Sequence, residues 1–296
     1  MTRIVLIVAA IGLTVVTLPT LEVERLYSTG VYPAMQSAIT AASNDVPFAL
    51  FDALLVVAVA WLLWRLLDLR EQDRWIPAIA GLVVRVAGAC ALLYLVFLAA
   101  WGLNYRRVPL RNKLVFSPQG ASAARARDLA QTAVERLNAL HEEAHREGPT
   151  GGIDAALSAA FLDAQRMLGV RRPARVARPK RSLLDPYFHA AGVGGMTDPY
   201  FLETLIASDL LPFEEPFIVA HEWSHLAGFA DESEASFVGW LACVHGPPRV
   251  EYSGWLFLYG ETAGGLDRDV RTEVAARLDE GPREDLQAIA ERVRRQ

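Results

Sequence analysis

The sequence predicts a mostly α protein with a small β element: an α+β soluble domain preceded by three transmembrane helices. Three observations lead there. Apolar runs crowd the first hundred residues. From about Ser117 the composition becomes charged, with apolar residues at helical spacing. One glycine-rich segment, residues 192–200 (GVGGMTDPY), then brings strand-forming residues into an otherwise helical pattern.

The apolar runs are Ile4–Leu21, Pro47–Leu67 and Ile76–Leu103. A helix needs about 20 mostly apolar residues to cross a bilayer. The second and third runs exceed that length and the first is borderline. No small-x-small cleavage site follows the first run, so it reads as an anchor rather than a signal peptide. Trp61, Trp64, Trp75, Trp101 and Tyr105 cluster near the ends of the last two runs, where interfacial aromatics sit. Arg85 lies inside the third run, close enough to its Trp75 end for the long stem to snorkel. Residues 1–105 are therefore expected to form a bilayer-embedded domain and residues 106–296 a soluble one. Arg3, Arg65, Arg70 and Arg74 favour a cytoplasmic N-terminus and second loop, hence an extracytoplasmic soluble domain. Arg106, Arg107, Arg111 and Lys113 argue the opposite way, and the first group is given more weight.

The formal net charge of -5 provides no basic field for nucleic acid. Of the two cysteines, Cys90 lies in an apolar run, so no structural disulfide is expected with Cys243.

In the soluble part, residues 121–148 read as one long charged helix, with Leu129, Val134, Leu137 and Leu140 at helical spacing. Residues 153–168 read as a second helix. Arg171–Arg181 is basic and proline-broken, a solvated loop with a short strand. Residues 191–208 read as a strand pair. Residues 210–230 read as a helix with Pro216 in its first turn and Gly228 at its end. A helix follows over 232–244, and two charged amphipathic helices close the chain.

The pattern His-Glu-x-x-His occurs twice, as HEEAH at 141–145 and HEWSH at 221–225. Residues i and i+4 share a helix face, so both imidazoles can reach one Zn²⁺ while the Glu faces an open coordination position and can move a proton there. Such a site needs a dry, rigid mount. HEEAH has Glu143 between its histidines and Arg136, Arg146 and Glu147 around them, so it reads as a solvated helix with i,i+4 charge pairs. HEWSH is surrounded by Ile218, Val219, Ala220, Trp223, Leu226 and Phe229. Burying two histidines and a glutamate in such a segment is costly without a purpose. His221 and His225 are thus the candidate zinc ligands and Glu222 the candidate general base.

Catalytic zinc usually keeps three protein ligands and a water. On an unbroken helix Glu232 would lie roughly 10 Å beyond His225. The chain must turn, and Gly228 is where it can. A second helix starting near Asp231 then returns a carboxylate. Glu232 is the favoured third ligand, with Glu234 and Asp231 as alternatives, and Asp231 is well placed as an N-cap.

HEWSHLAGFADESEASFVGWLAC, the preceding GVGGMTDPYFLETLIA and PFIVAHE, WGLNYRR after the third run and YSTGVYP after the first together resemble a bacterial membrane family, domain of unknown function 3810. The resemblance covers nearly the whole chain. It implies a zincin-like, gluzincin-type peptidase domain in a bacterial inner membrane, and it favours Glu232 or Glu234 over Asp231. Where the family has Ala-Asn this chain has Ala235-Ser236, which would weaken a hydrogen bond behind a ligand.

The expected activity is zinc-dependent hydrolysis of a peptide or protein substrate, which is expected to be membrane-associated. Zinc peptidases bind substrate beside an edge strand, and Gly192–Tyr200 is the candidate. Tyr252 is the candidate oxyanion stabiliser, with His245, His189 and Tyr259 also available. The rival reading is a non-enzymatic scaffold or sensor whose metal is closed off by Cys243 or His245. Intramembrane cleavage is not expected, because HEWSH lies far past the last apolar run.

Overall fold

The computed structural model describes residues 2–70, 72, 74–115, 122–146, 148 and 151–296, a mostly helical chain with one three-stranded sheet. The N-terminal part comprises α1 (Thr2–Val15), α2 (Thr20–Glu22), a π-helical stretch Val23–Val31, α3 (Tyr32–Asn44), α4 (Leu50–Arg70) and α5 (Trp75–Ala100). Helices α4 and α5 are long and apolar enough to cross a membrane. The first apolar run departs from expectation. Helix α1 stops after 14 residues, and the chain bends by 112° before Thr20–Asn44. At 1.5 Å per residue α1 spans about 21 Å, short of a hydrocarbon core of about 30 Å. Pro19 lacks the N–H that would continue the helix. Arg106 instead donates to the Leu13 and Val16 carbonyls, at 2.7 and 2.9 Å. Two helices can therefore cross a membrane, and a third span exists only if the bent pair is counted as one. Arg85 in α5 lies back toward Gly81, in the direction of Trp75, as a snorkelling side chain should.

After two short 3-10 turns, Gly102–Arg106 and Leu110–Asn112, come α6 (Ala123–Ala144), α7 (Ala155–Met167), β1 (Pro179–Lys180), α8 (Asp185–Ala191), β2 (Gly195–Asp198), β3 (Glu203–Ile206), α9 (Glu215–Leu226), α10 (Glu232–Cys243), α11 (Pro248–Gly264), α12 (Arg268–Ala275) and α13 (Glu280–Arg294). The change of composition at Ser117 falls outside the described residues. Side-chain caps fix three helix starts: Ser122 on α6, Asp154 on α7 and Asp231 on α10. The sheet order is β1-β3-β2, with β1 parallel and β2 antiparallel to β3, and Met196 opposite Leu205. The expected strand pair is thus β2 and β3, and β2 is an edge.

Residues on both sides of position 105 share one core, which runs from Tyr32, Ala49 and Trp101 to Phe161, Leu205 and Trp223. A second core joins α6 to α11 through Val134, Leu137, Tyr252 and Leu256. The contact between the N-terminal helices and the later chain is also polar. The extended chain 174–180 has main-chain groups that need partners, and α3 supplies them. Gln36 bonds the N–H and carbonyl of Arg175 at 3.0 and 2.8 Å, and Asn44 bonds Val176 O and Arg178 N. Thr40 donates to Leu202 O at 3.0 Å. The basic stretch is therefore a docking seam rather than the expected solvated loop. At its end Lys180 is buried, and its ammonium donates to Ser43 O, Phe48 O and the fully buried Glu203 carboxylate. Removing one member of such a pair leaves a buried charge uncompensated. Lys180→Met should therefore lower stability by about 3–5 kcal/mol in a denaturant titration of the detergent-solubilised protein; a loss below about 1 kcal/mol would contradict the seam's role.

Candidate metal centre

Helix α9 ends in a Schellman turn. Gly228 has φ +84°, its N–H bonds His225 O at 2.9 Å, and Phe229 N–H bonds Ser224 O at 3.1 Å. A side chain at 228 would be strained at that φ, and its Cβ would sit 3.1 Å from both Asn104 and Arg107. Carbonyls of the last helical turn also accept from the membrane unit: Trp101 Nε1 bonds His225 O and Tyr32 Oη bonds Leu226 O, each at 2.8 Å. The turn reverses the chain, so α10 packs back along α9. Gly239 makes that approach possible, since a Cβ there would lie 2.9 Å from His221 N.

The consequence is a three-residue group. His221 Nε2 lies 3.1 Å from His225 Nε2 and 3.2 Å from Glu232 Oε2, and His225 Nε2 lies 3.5 Å from the same oxygen. Ligand atoms at about 2.0–2.1 Å around a tetrahedral zinc ion lie about 3.3 Å from one another, so this donor set fits such an ion. The other ring nitrogens hold the imidazoles in place. With Nε2 as the lone-pair atom, His225 Nδ1–H donates to Phe229 O at 2.8 Å and His221 Nδ1–H to Ser236 Oγ at 3.2 Å. The serine thus retains a hydrogen bond behind His221. Asp231 accepts from Ser233 N and Glu234 N as the cap of α10, and Glu234 turns away to accept from Leu110 N. Of the three candidate carboxylates, only Glu232 reaches the imidazoles.

Glu222 is 5% exposed and sits between α9 and β2. Thr197 Oγ1 is 2.9 Å from its Oε2 and 2.8 Å from its main-chain carbonyl. A protonated Glu222 can donate to Thr197 while that hydroxyl donates to the carbonyl; an ionised one can accept from it. Gly195 lets the strand come this close, because a Cβ there would meet Glu222 Cγ and Ile218 Cγ2 at 3.1 Å. Burial pushes Glu222 up to about 7, with the nearby Glu232 charge adding to it and His225 and the Thr197 hydrogen bond opposing it. Burial and the neighbouring His225 push His221 down to about 4, against the pull of Glu232. On His225 burial acts downward too, but the Glu232 hydrogen bond and the charges of Glu222 and Glu232 outweigh it and raise the group.

The cleft around this group is about 640 Å³ and is walled by β2, α8 and the end of α5. Phe97 of α5, Trp101 just after it and Tyr105 of the following 3-10 turn form that last wall. The centre therefore abuts the end of an apolar helix, although it lies far from it in sequence. In the sequence Tyr105 stands out only as an interfacial aromatic. Its place beside Glu232 was marked in the sequence by nothing but the WGLNYRR stretch. Burial and the Glu232 charge raise its hydroxyl.

A scan against family models matches residues 27–295 to the protein family of unknown function DUF3810. The chain belongs to the DUF3810 family. No curated protein and no solved structure matches it.

Other expected site residues of this DUF3810 chain lie elsewhere. Tyr252 does not line the cleft. It is fully buried in the α6–α11 core and its hydroxyl donates to Asp285 at 2.5 Å. Burial and that hydrogen bond hold the hydroxyl well above its ordinary range. A tyrosine committed in this way cannot meet a charge forming at His221, which corrects its assignment as oxyanion stabiliser. His189 faces Asp185 and Asp209, and Tyr259 belongs to the same second core as Tyr252. Cys243 is buried against Gly254, and His245 Nδ1 bonds Leu241 O. Among the described residues neither joins the group of His221, His225 and Glu232. HEEAH keeps its expected solvated face in Glu142, which pairs with Arg146 at i+4, but its histidines also gather with Asp285.

Because Gly239 sets the spacing of α9 and α10, Gly239→Ala should force the two helices apart. A loss of about 1–3 kcal/mol in thermal or denaturant unfolding is expected; an unchanged midpoint would show that the pair tolerates a methyl group.

Proposed function

We propose that this DUF3810 protein is a membrane-anchored zinc metallopeptidase in which His221, His225 and Glu232 hold the ion. The observation that carries the reading is the set of three donor distances near a tetrahedral edge, beside a buried glutamate. Zinc held there would supply Lewis acidity, polarising the scissile carbonyl and acidifying a water. Glu222, buried beside the three donors, would take a proton from a water in the cleft and pass it to the leaving amine. Thr197 accommodates both of its protonation states. Neutral His221 is the form a metal requires.

Strand β2 has a neighbour on one side only, so its free edge can add a substrate strand. Tyr105 keeps its proton and donates to the developing oxyanion. With Phe97 and Trp101 in the cleft wall, the substrate class is an extended segment lying close to a membrane surface, in a membrane-associated protein. We place the catalytic domain outside the cytoplasm. Arg106 and Arg107 are engaged with main-chain carbonyls of α1 and Gly228, and Arg107 and Lys113 also pair with Glu24, so they oppose that orientation less than their number suggests.

His221→Ala should lower zinc content by one ion per chain and abolish cleavage of a quenched peptide library. Glu222→Gln should keep the ion and lower the rate by at least about 10²-fold. Zinc content unchanged by His221→Ala, or full activity in Glu222→Gln, would sink the reading. Tyr105→Phe should lower kcat by about 10²-fold with KM little changed; an unaltered kcat would remove Tyr105 from the mechanism.

A further inference from the structure

We propose that His141, His145 and Asp285 form a second site for a zinc-type divalent transition-metal ion, one that fastens the C-terminal helix α13 onto α6. Their ligand atoms gather within 4.8 Å of one another. Asp285 Oδ2 lies 3.5 Å from His141 Nε2 and 3.3 Å from His145 Nε2. Both values match the edge of about 3.3 Å expected between ligands of a tetrahedral zinc ion.

Three further features look like a built site rather than a chance ion pair. His145 Nδ1–H donates to His141 O at 2.8 Å, which leaves Nε2 as the lone-pair atom. The Tyr252 hydroxyl donates to Asp285 Oδ2 at 2.5 Å and stacks edge-on against both imidazoles, so it orients carboxylate and rings together. Gly281, in the first turn of α13, lies so close to His141 that a Cβ there would meet the ring at 2.3 Å. The imidazole side chains are 25% and 36% exposed, so an ion has an entry path and water has room at a remaining position.

The site differs in kind from the one at His221. Glu142, in the position of a general base, is 91% exposed and points away toward Arg146. Among the described residues no further carboxylate, histidine or cysteine joins the cluster, so an ion here holds structure. It would hold α13, whose Arg292 bonds the Glu214 carboxylate at 2.9 Å immediately before α9. The cluster thus braces the start of the helix that carries His221, yet its ion binding does not depend on what that helix does.

The test uses full-length protein in detergent with Zn²⁺ as the probe. In a His221→Ala/His225→Ala background, the protein should hold one zinc per chain after dialysis and melt several degrees higher with zinc than with chelator. Adding Asp285→Asn, which keeps an acceptor for Tyr252, should abolish both effects while leaving the chelated melting point close to the parent's. In the wild-type chain the same substitution should lower zinc content by one ion. Zinc content unaffected by Asp285→Asn in both backgrounds overturns the proposal. If Asp285→Asn lowers zinc and His221→Ala does not, this site stands and the peptidase reading falls; the reverse result removes this site alone.

Discussion

The turn at Gly228 is the constraint on which the rest of the molecule depends. Two imidazoles on one helix face cannot meet a carboxylate seven residues further along the same helix. The left-handed glycine ends α9, and the Schellman bonds point Phe229 O back at His225. The glycine at 239 then lets α10 lie directly on His221. Three donor atoms reach a common point because a helix is broken at one place and packed tightly at another. The surrounding apolar side chains, Trp223 and Leu226 among them, make that geometry rigid.

The second constraint comes from the membrane unit. The last carbonyls of α9 are met by Trp101 and Tyr32, and Arg107 reaches Gly228 O. Helix α3 binds the extended chain that leads into β1, and Lys180 closes that seam. The later helices and the sheet therefore pack directly against the N-terminal helices. Their ends form part of the cleft wall and hold the turn on which the centre is built. In the proposed function this arrangement brings hydrolysis to the membrane surface, which a count of residues between α5 and HEWSH does not suggest.

Local features of the sequence were legible. The apolar mount of HEWSH, the glycine break and the returning carboxylate are all encoded within twelve residues, and Asp231 reads as a cap from its position alone. The strand pair and most helices follow from periodicity and glycine placement. What sequence reading missed depends on contacts between distant segments. Tyr105 and Glu232 line one cleft although more than a hundred residues separate them. Tyr252 looks like a site tyrosine, yet it faces Asp285 on another helix. HEEAH looks like a charged, solvated stretch of α6, and only α13 and α11 show that its histidines gather with Asp285 beside Tyr252. After the first apolar run, Gln36, Thr40 and Asn44 are the polar groups of a docking helix whose partners lie far along the chain. Pairings of this kind leave no periodic trace.

The proposed activity is hydrolysis of peptide segments beside the membrane. The most direct measurement is a comparison of protein termini in membranes from native host cells carrying wild type or Glu222→Gln, a change designed to leave the ion in place while removing the base. A set of termini close to membrane-spanning segments is expected with wild type and not with Glu222→Gln, in which the uncut precursors accumulate. Identical sets of termini in the two membranes would contradict it.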